Sequence, residues 1–242
     1  MSPFALAWEQ FRFERKLFWR NPSAAFFNFI LPLLLLLLVA TAFAQESDAL
    51  DVLIPGIAGM SVMATTFTAL AHAVVFQREQ GILKRVRGTP IPAASYLAGM
   101  IGSAVLNAVL QVGLVVAIGH FLYDVPWPAD WPLLAAFTGL GVLCFGSLGI
   151  AFSHVIPNVD SAPAYQNAVF LPLIFISGVF YSADSLPPAL EALAQALPLK
   201  HLIDGLGMAI VGNVGDAAGA AAVVGGWTAA GLFFAVRYFR WT

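Results

Sequence analysis

Six stretches of this chain carry no charged side chain, and each is long enough to cross a lipid bilayer. An α-helix rises about 1.5 Å per residue, so about 20 apolar residues span the roughly 30 Å of hydrocarbon in a membrane. All 11 Lys and Arg residues and all 13 Asp and Glu residues lie outside these stretches. The pattern predicts an all-α membrane protein with six transmembrane helices, at residues 22–44, 52–76, 93–122, 131–153, 164–183 and 217–236.

The composition excludes a soluble cytoplasmic enzyme. Only 10% of the 242 residues are charged, whereas about one quarter of a soluble domain carries charge. No linker rich in Pro, Gly or Ser divides the chain, so we expect a single transmembrane domain over residues 1–242. Cys144 is the single cysteine, which leaves no disulfide framework and no cysteine metal site, and we expect no bound metal.

The basic residues predict which side of the membrane each segment faces. Cytoplasmic segments of membrane proteins are rich in Lys and Arg. An even number of spans places both termini on the same side of the membrane. Every Lys and Arg except Lys200 falls on that side. We therefore expect both termini in the cytoplasm. The apolar run 22–44 is longer than the about 7 to 15 residues of a signal-peptide core, so we expect an uncleaved helix.

Residues 3–20 are predicted to form an amphipathic helix that lies in the membrane interface. On a helical wheel one side is aromatic and the other is charged, which is the pattern of an interfacial helix. Two roles are open: an anchor for the first span, or a platform shared with a cytoplasmic partner. The aromatic side consists of Phe4, Trp8, Phe11 and Phe18, and the charged side of Glu9, Arg12, Lys16 and Arg20.

The cytoplasmic segment after the second span predicts a short helix at residues 78–87. Four basic side chains lie within it, and Gly88 with Pro90 ends it. The charges alone agree with an ordinary positive-inside loop. An apolar stripe on a cytoplasmic helix favours a partner surface instead. This stripe consists of Ile82, Leu83 and Val86.

The external segment 184–213 predicts a helical hairpin. Its apolar residues follow a helical repeat in two arms, and prolines mark the helix ends. Each arm has about a dozen residues, too few to span a membrane, so we expect a re-entrant or interfacial hairpin before the last span. The two sets are Leu186, Leu190, Leu193 and Leu197, followed by Leu199, Leu202, Leu206 and Ile210.

The chain lacks the residues that would let it power transport by itself. A P-loop ends in Gly-Lys-Ser or Gly-Lys-Thr, and none of its three lysines follows a glycine. No predicted span carries the buried charged residue of an ion-coupled carrier. We therefore expect no catalytic residue here. The alternative kept open is a proton relay through His72, His120 and His154.

Neutral polar and aromatic side chains inside the spans mark a candidate substrate path. Most of the polar ones are expected to hydrogen-bond between helices. Together with the aromatic residues of the fifth span, they would make a mildly polar surface suited to hydrophobic or amphipathic molecules. The candidates are Asn28, Thr65, Thr68, His72, Asn167, Phe170, Phe175, Ser177 and Tyr181.

These observations leave two classes open: the membrane half of an ATP-driven transporter, and an ATPase-independent channel or scaffold. One motif favours the first class. Arg78-Glu79-Gln80-Gly81-Ile82-Leu83, followed by Thr89-Pro90, resembles the Arg-Glu-x-Gly-Thr-Leu…Thr-Pro signature of ABC-2 type permeases. These are the membrane subunits of bacterial ATP-binding-cassette exporters, and the resemblance extends over the whole chain.

The resemblance implies that the segment after the second span is a coupling helix, which docks into a separate ATPase subunit. Two permease copies, forming a homodimer or alternatively a heterodimer, would pair with two ATPases in the bacterial inner membrane. ATP and Mg²⁺ would bind to the ATPase, so we expect no cofactor in this chain, and membrane lipid but no nucleic acid as a further partner. The implied docking residues are Arg78, Glu79, Gly81, Leu83, Lys84 and Arg85, with Arg12 and Lys16 on the N-terminal helix.

The resemblance also implies export of a hydrophobic or amphipathic substrate. ATP binding in the partner would shift the spans between inward and outward states through the short cytoplasmic helices. Compact loops and an uncharged, aromatic fifth span are more similar to the drug and antibiotic exporters of multidrug efflux. A lipid-linked polysaccharide exporter is the alternative.

Overall fold

The computed structural model describes residues 3–20, 22–43, 49–88, 93–181, 186–212 and 215–238. Within these residues every regular element is a helix, in agreement with the all-α prediction. The order is α1 (Pro3–Trp19), α2 (Pro22–Ala25), a π-helical turn (Phe26–Ile30), α3 (Leu31–Phe43), α4 (Ala49–Met63), a second π-helical turn (Ala64–Thr68), α5 (Ala69–Glu79), α6 (Ile82–Arg87), α7 (Ala93–Tyr123), α8 (Trp131–Phe152), α9 (Ala162–Ile176), α10 (Pro188–Ala196), α11 (Pro198–Val211) and α12 (Ala217–Tyr238).

Four helices in the described part of the chain are long and apolar enough to cross a membrane. The first and fifth predicted spans hold shorter apolar helices, Leu31–Ala42 and Ala162–Ile176. The six-span topology therefore stays a prediction. The four long helices correspond to the second, third, fourth and sixth predicted spans and cover Ala49–Glu79, Ala98–Tyr123, Trp131–Phe152 and Ala217–Arg237.

The predicted fifth span, 164–183, is wrong at its end, because α9 ends at Ile176. Gly178 adopts a left-handed conformation with a φ of 75°. The backbone N–H of Val179 donates to the Ile174 carbonyl at 3.4 Å. A left-handed glycine just past the last turn, with this bond across it, closes off a helix.

The second span lies at the centre of the bundle and covers Ala49–Glu79 rather than the predicted 52–76. All side chains of Leu53–Met63 are buried. Gly56 permits one close approach, because a Cβ at this position would overlap the backbone carbonyl of Val179. With 31 residues the span is about 46 Å long. This length exceeds the roughly 30 Å of hydrocarbon that a transmembrane helix has to cross.

The second arm of the predicted hairpin is a core element. Helix α11 packs against α4, α8 and α12. Its predicted apolar residues Leu199, Leu202, Leu206 and Ile210 are all buried, whereas the first arm, α10, exposes Leu190 and Leu193. Pro198 begins α11, since proline fits the first turn of a helix. The two helices thus lie within the predicted range 184–213, and their external placement stays a prediction.

Helix α1 packs along α7. Trp8 on the predicted aromatic side is 53% exposed, and the interfacial placement of α1 stays a prediction. Polar groups also join the two helices: the Arg15 guanidinium donates to the Asn107 side-chain carbonyl. A Cβ at Gly99 would lie 2.6 Å from the Cβ of Gln10, so glycine allows the two helices to touch. The side chain of Phe4 lies outside the described residues.

An arginine–glutamate brace and a polar cavity

The predicted coupling helix, 78–87, is divided at Gly81. Residues up to Glu79 belong to α5, and α6 begins at Ile82. Gly81 has a φ of 67°, a left-handed conformation that a right-handed helix does not contain and that glycine adopts without strain. The short helix after the second span is therefore Ile82–Arg87, and the first two residues of the motif belong to the second span.

Arg78, at the end of α5, binds the turn that follows α8. Its Nη1 donates to the Ser153 carbonyl at 3.1 Å, and its Nη2 donates to the carbonyls of Ile156 and, at 3.5 Å, Pro157. Ser153 caps the end of α8, and the last carbonyls of a helix lack partners within it and carry partial negative charge. The guanidinium therefore joins this helix end to the carbonyls of Ile156 and Pro157 in the link beyond it through charge-assisted hydrogen bonds.

The neighbouring carboxylate of Glu79 binds the other end of the same link. Its Oε2 accepts a hydrogen bond of 2.9 Å from the backbone N–H of Val159, shortly before α9 begins. We call Arg78 and Glu79, together with the backbone of residues 153–159, the brace. The brace ties the neighbouring ends of α5, α8 and α9 together.

A cavity of about 900 Å³ lies between α1, the second span, α7 and α9. We call it the inner cavity. Its wall mixes aromatic rings with hydroxyl and amide groups. Five of the predicted path residues line it: Thr65, Thr68, His72, Asn167 and Phe170.

The structure places three other predicted path residues elsewhere. Phe175 is exposed, and its ring packs against Phe180 with 6.2 Å between the ring centroids. Ser177 and Tyr181 line a second cavity, because α9 has already ended at Ile176 and the chain turns away. The side chain of Asn28 lies outside the described residues.

The π-helical turn Ala64–Thr68 shapes the inner cavity. Such a turn inserts one extra residue into a helix and is frequent at functional sites. The Thr65 hydroxyl donates to the Ser61 carbonyl at 2.8 Å. The Oγ1 of Thr68 is buried and makes no hydrogen bond with the described residues, although its backbone carbonyl accepts one from Gln166 at 3.1 Å. Thr68 therefore has a hydroxyl in the wall of the inner cavity with no hydrogen-bond partner among the described residues.

Glu14 also lines the inner cavity, and sequence reasoning missed it. Its Oε1 accepts hydrogen bonds from Gln10 at 2.8 Å and from Gln77 at 3.5 Å, and Gln77 in turn accepts one from the Tyr96 hydroxyl. Burial raises the pKa of Glu14, while the bonds from Gln10 and Gln77 oppose the rise. A second stripe of residues at helical spacing on α1 could have indicated that Glu14 faces the bundle: Ala7, Gln10, Phe11, Glu14, Arg15 and Phe18.

Comparison with known proteins decides the family. The ABC-2 type transporter family matches residues 4–211. This chain belongs to that family.

Three relatives of the ABC-2 protein illustrate its similarity to named proteins. The inner membrane transport permease YadH of Escherichia coli K12 is 26% identical over 164 residues, which are 66% of this chain and 62% of YadH. The putative transport permease YvfS of Bacillus subtilis is 28% identical over 147 residues, 60% of this chain and 59% of YvfS. The probable multidrug ABC transporter permease YbhS of E. coli is 24% identical over 166 residues, 67% and 44% of the two chains. The chain thus matches less than two thirds of the length of each.

The predicted docking residues of this ABC-2 protein fall into two groups. Arg78 and Glu79 belong to the brace and bind backbone groups of residues 153–159, and Leu83 is 0% exposed. All three therefore make contacts within the chain. Gly81 forms the turn between α5 and α6. Their docking role stays a prediction. The exposed group, which a partner can reach, consists of Lys84 and Arg85 on α6 and Arg12 and Lys16 on α1.

Two of the histidines considered for a proton relay lie at opposite ends of the bundle. His120, near the end of α7 far from α6, has its Nδ1 2.9 Å from the Val125 carbonyl. His154 follows α8 beside the brace, and its Nδ1 lies 3.1 Å from the Ala151 carbonyl. Each histidine therefore has a local backbone partner.

Proposed function

We propose that this ABC-2 protein is the transmembrane permease subunit of an ATP-binding-cassette exporter, driven by a separate ATPase subunit. Membership of the family and relatives named as transport permeases support the role. The brace carries the mechanism, because it joins the surface beside α6 to two walls of the inner cavity.

The ATPase docks on the exposed side of α6. Lys84 and Arg85 place two positive charges there, while Leu83 is buried and anchors the helix to the bundle. Because α6 is anchored, a push from the ATPase moves the second span instead of only bending a loop. Arg12 and Lys16 on α1 provide a second contact.

The brace passes this movement to the fifth predicted span. His72 and Gln77 line the inner cavity from α5, and Gln166 and Asn167 line it from α9. Since Arg78 and Glu79 hold the link that leads into α9, a shift of α6 moves both walls together. ATP binding and hydrolysis thereby change the width of the inner cavity and move its content outward.

The inner cavity fits a hydrophobic or amphipathic substrate of drug or lipid type. Its volume of about 900 Å³ lies in the range of small-molecule sites, roughly 300 to 1,000 Å³. Phe18, Phe76 and Phe170 offer apolar surface, and Thr68 and Asn167 offer hydrogen-bonding groups. A molecule with an apolar body and a few polar atoms matches this wall.

The permease works as a pair of copies, a homodimer or a heterodimer, with two ATPases. It lies in the bacterial inner membrane, crosses it several times and keeps both termini in the cytoplasm. The inner membrane location of the relative YadH and the apolar helices support this placement.

Reconstitution tests the function. The chain is purified alone and together with a co-expressed P-loop ATPase of the ATP-binding-cassette type from the same organism, and each preparation is placed in liposomes with a fluorescent phospholipid and a panel of amphipathic dyes. We expect no ATP hydrolysis by the chain alone, and ATP-dependent transport by the complex. ATP hydrolysis by the isolated chain would contradict the proposal.

The same assay separates the alternatives. Substrate flux without any ATPase would assign the chain to the channel class. Stimulation of hydrolysis by a lipid-linked polysaccharide, with no response to dyes or phospholipid, would identify a polysaccharide exporter.

A further inference from the structure

The second cavity, which is lined by Ser177 and Tyr181 and which we call the outer cavity, lies at the end of the bundle opposite α6. It has a volume of about 810 Å³ and is lined by the start of α4, the turn after α9, and parts of α10, α11 and α12. Asp51 on α4 and His72 in the inner cavity are 21 positions apart on the second span, so about 30 Å separates them along the helix axis. The outer cavity is therefore a separate site.

Acidic groups outnumber basic ones in the outer cavity. Three carboxylates, from Asp51, Asp204 and Asp216, line it together with Lys200. Lys200 is only 9% exposed, and its Nζ lies 2.7 Å from Asp204, so this pair is neutralised. Within the described residues no cation pairs with Asp51 or Asp216, and these two carboxylates give the cavity a negative charge.

One further oxygen atom of the outer cavity, on Ser177, lacks a partner among the described residues. Ser177 is 1% exposed, so its hydroxyl is buried. A buried polar atom without a partner costs free energy unless a ligand engages it.

We propose that the outer cavity binds an organic ammonium ion. Its unpaired groups are hydrogen-bond acceptors with net negative charge, which an ammonium group with several N–H donors complements. An anion would be repelled by the two carboxylates. Among the residues that the structure describes, no three His, Cys, Asp or Glu side chains are grouped to share a metal ion. An extended organic cation can contact carboxylates that lie apart.

The site does not depend on the ATPase, so its test is a binding measurement on the full chain in lipid nanodiscs. Isothermal titration calorimetry compares 1,5-diaminopentane with 1,5-pentanediol, a neutral molecule of the same length, and with calcium chloride. We expect saturable binding of the diamine only. Equal binding of the diol, binding of calcium alone, or no binding of the diamine would overturn the proposal.

Matched variants locate the binding. Asp216 accepts the Gly219 N–H at 2.8 Å and Asp130 accepts the Leu133 N–H at 2.9 Å, so each caps a helix at this end of the bundle. Asparagine also caps helices, so Asp216→Asn and Asp130→Asn each remove one charge and keep the cap. We expect Asp51→Asn with Asp216→Asn to weaken diamine binding at least about tenfold, and Asp130→Asn to change it less than about twofold.

A second variant keeps the test decisive if the double variant is unstable. Ser177→Ala removes a hydroxyl that bonds to no described residue, so we expect an unchanged melting temperature and diamine binding weaker by about threefold. Diamine binding that survives both Ser177→Ala and the loss of the two carboxylates would overturn the assignment to the outer cavity.

Discussion

The carboxylate of Glu79 accepts a 2.9 Å hydrogen bond from the backbone N–H of Val159, which lies 80 residues further along the chain. Arg78 binds the carbonyls just before that point, so opposite charges on consecutive residues hold both ends of one link. The motif that resembles the ABC-2 signature thus makes contacts inside the fold. The exposed charge that a partner can reach comes later, at Lys84 and Arg85.

Loss of the brace is expected to uncouple the permease without releasing its partner. Glu79→Ala removes the bond to Val159, so movement of α6 no longer reaches α9. We expect transport per ATP hydrolysed to fall about tenfold, with normal membrane insertion and normal co-purification of the ATPase. Glu79→Gln is the control, because its amide oxygen can still accept the Val159 N–H and should preserve much of the coupling. Loss of ATPase binding in Glu79→Ala would argue for direct docking instead.

Reversal of the exposed charge on α6 is expected to weaken binding of the ATPase, which loss of the brace leaves normal. Lys84→Glu with Arg85→Glu places two acids on a surface proposed to bind the ATPase, so co-purification of the ATPase should drop at least about tenfold. The charge-preserving pair Lys84→Arg with Arg85→Lys should retain binding. Equal co-purification of both variants with the ATPase would place the docking surface elsewhere.

The buried carboxylate of Glu14 is expected to make stability depend on pH. Its pKa is raised from 4.5 by burial, so the folded state holds the proton to higher pH than the unfolded state. The resulting stabilisation is fully present below pH 4.5 and is lost as pH rises through the folded-state pKa. Thermal melting from acidic to neutral pH should show this loss in the natural chain and not in Glu14→Gln.

Glu9→Gln is the matched control for that measurement, because Glu9 lies on the exposed side of the same helix. It should keep the pH dependence of the natural chain. If the melting temperature of Glu14→Gln changes with pH as that of the natural chain does, the pH dependence does not come from Glu14.

The unpartnered hydroxyl of Thr68 is expected to serve the ligand and not the fold. Thr68→Val keeps the shape but removes Oγ1, which bonds to no described residue, so the melting temperature should not fall. Affinity for a transported dye should weaken by about threefold to tenfold. In the control Thr66→Val, loss of the 2.6 Å bond to the Val62 carbonyl should lower stability by about 0.6 kcal/mol and leave affinity unchanged. A Thr68→Val protein with unchanged dye affinity would rule out this contact.

The close approach of Gly56 and Val179 is expected to limit substitution there. A Cβ at Gly56 overlaps the Val179 carbonyl, so Gly56→Ala should lower the free energy of unfolding by about 2 kcal/mol or more. Gly113→Ala meets no atom within 4 Å and should be neutral or stabilising by up to about 1 kcal/mol. The melting temperatures of the two variants are compared in the same detergent. Equal stability would contradict the close packing of Gly56 against Val179.

The helical class and the apolar segments follow from the amino-acid sequence, because these depend on composition and on distances along one chain. Charge-free runs must be buried in lipid or protein, and a helix satisfies their backbone groups locally. The left-handed Gly81 and Gly178 show where this reasoning fails. Each ends a helix inside a segment whose side chains alone predict that the helix continues.

Which side chains contact one another depends on the tertiary structure. Glu14 looks like an ordinary cytoplasmic acid in the sequence, but the packing of α1 on α7 brings it to the inner cavity beside Gln77. Ser177 and Thr68 both fit one candidate path by composition, yet they line cavities at different ends of the bundle. Residue type limits what a side chain can bind. The partners it has depend on helix contacts between residues far apart in the chain, and no local pattern encodes them.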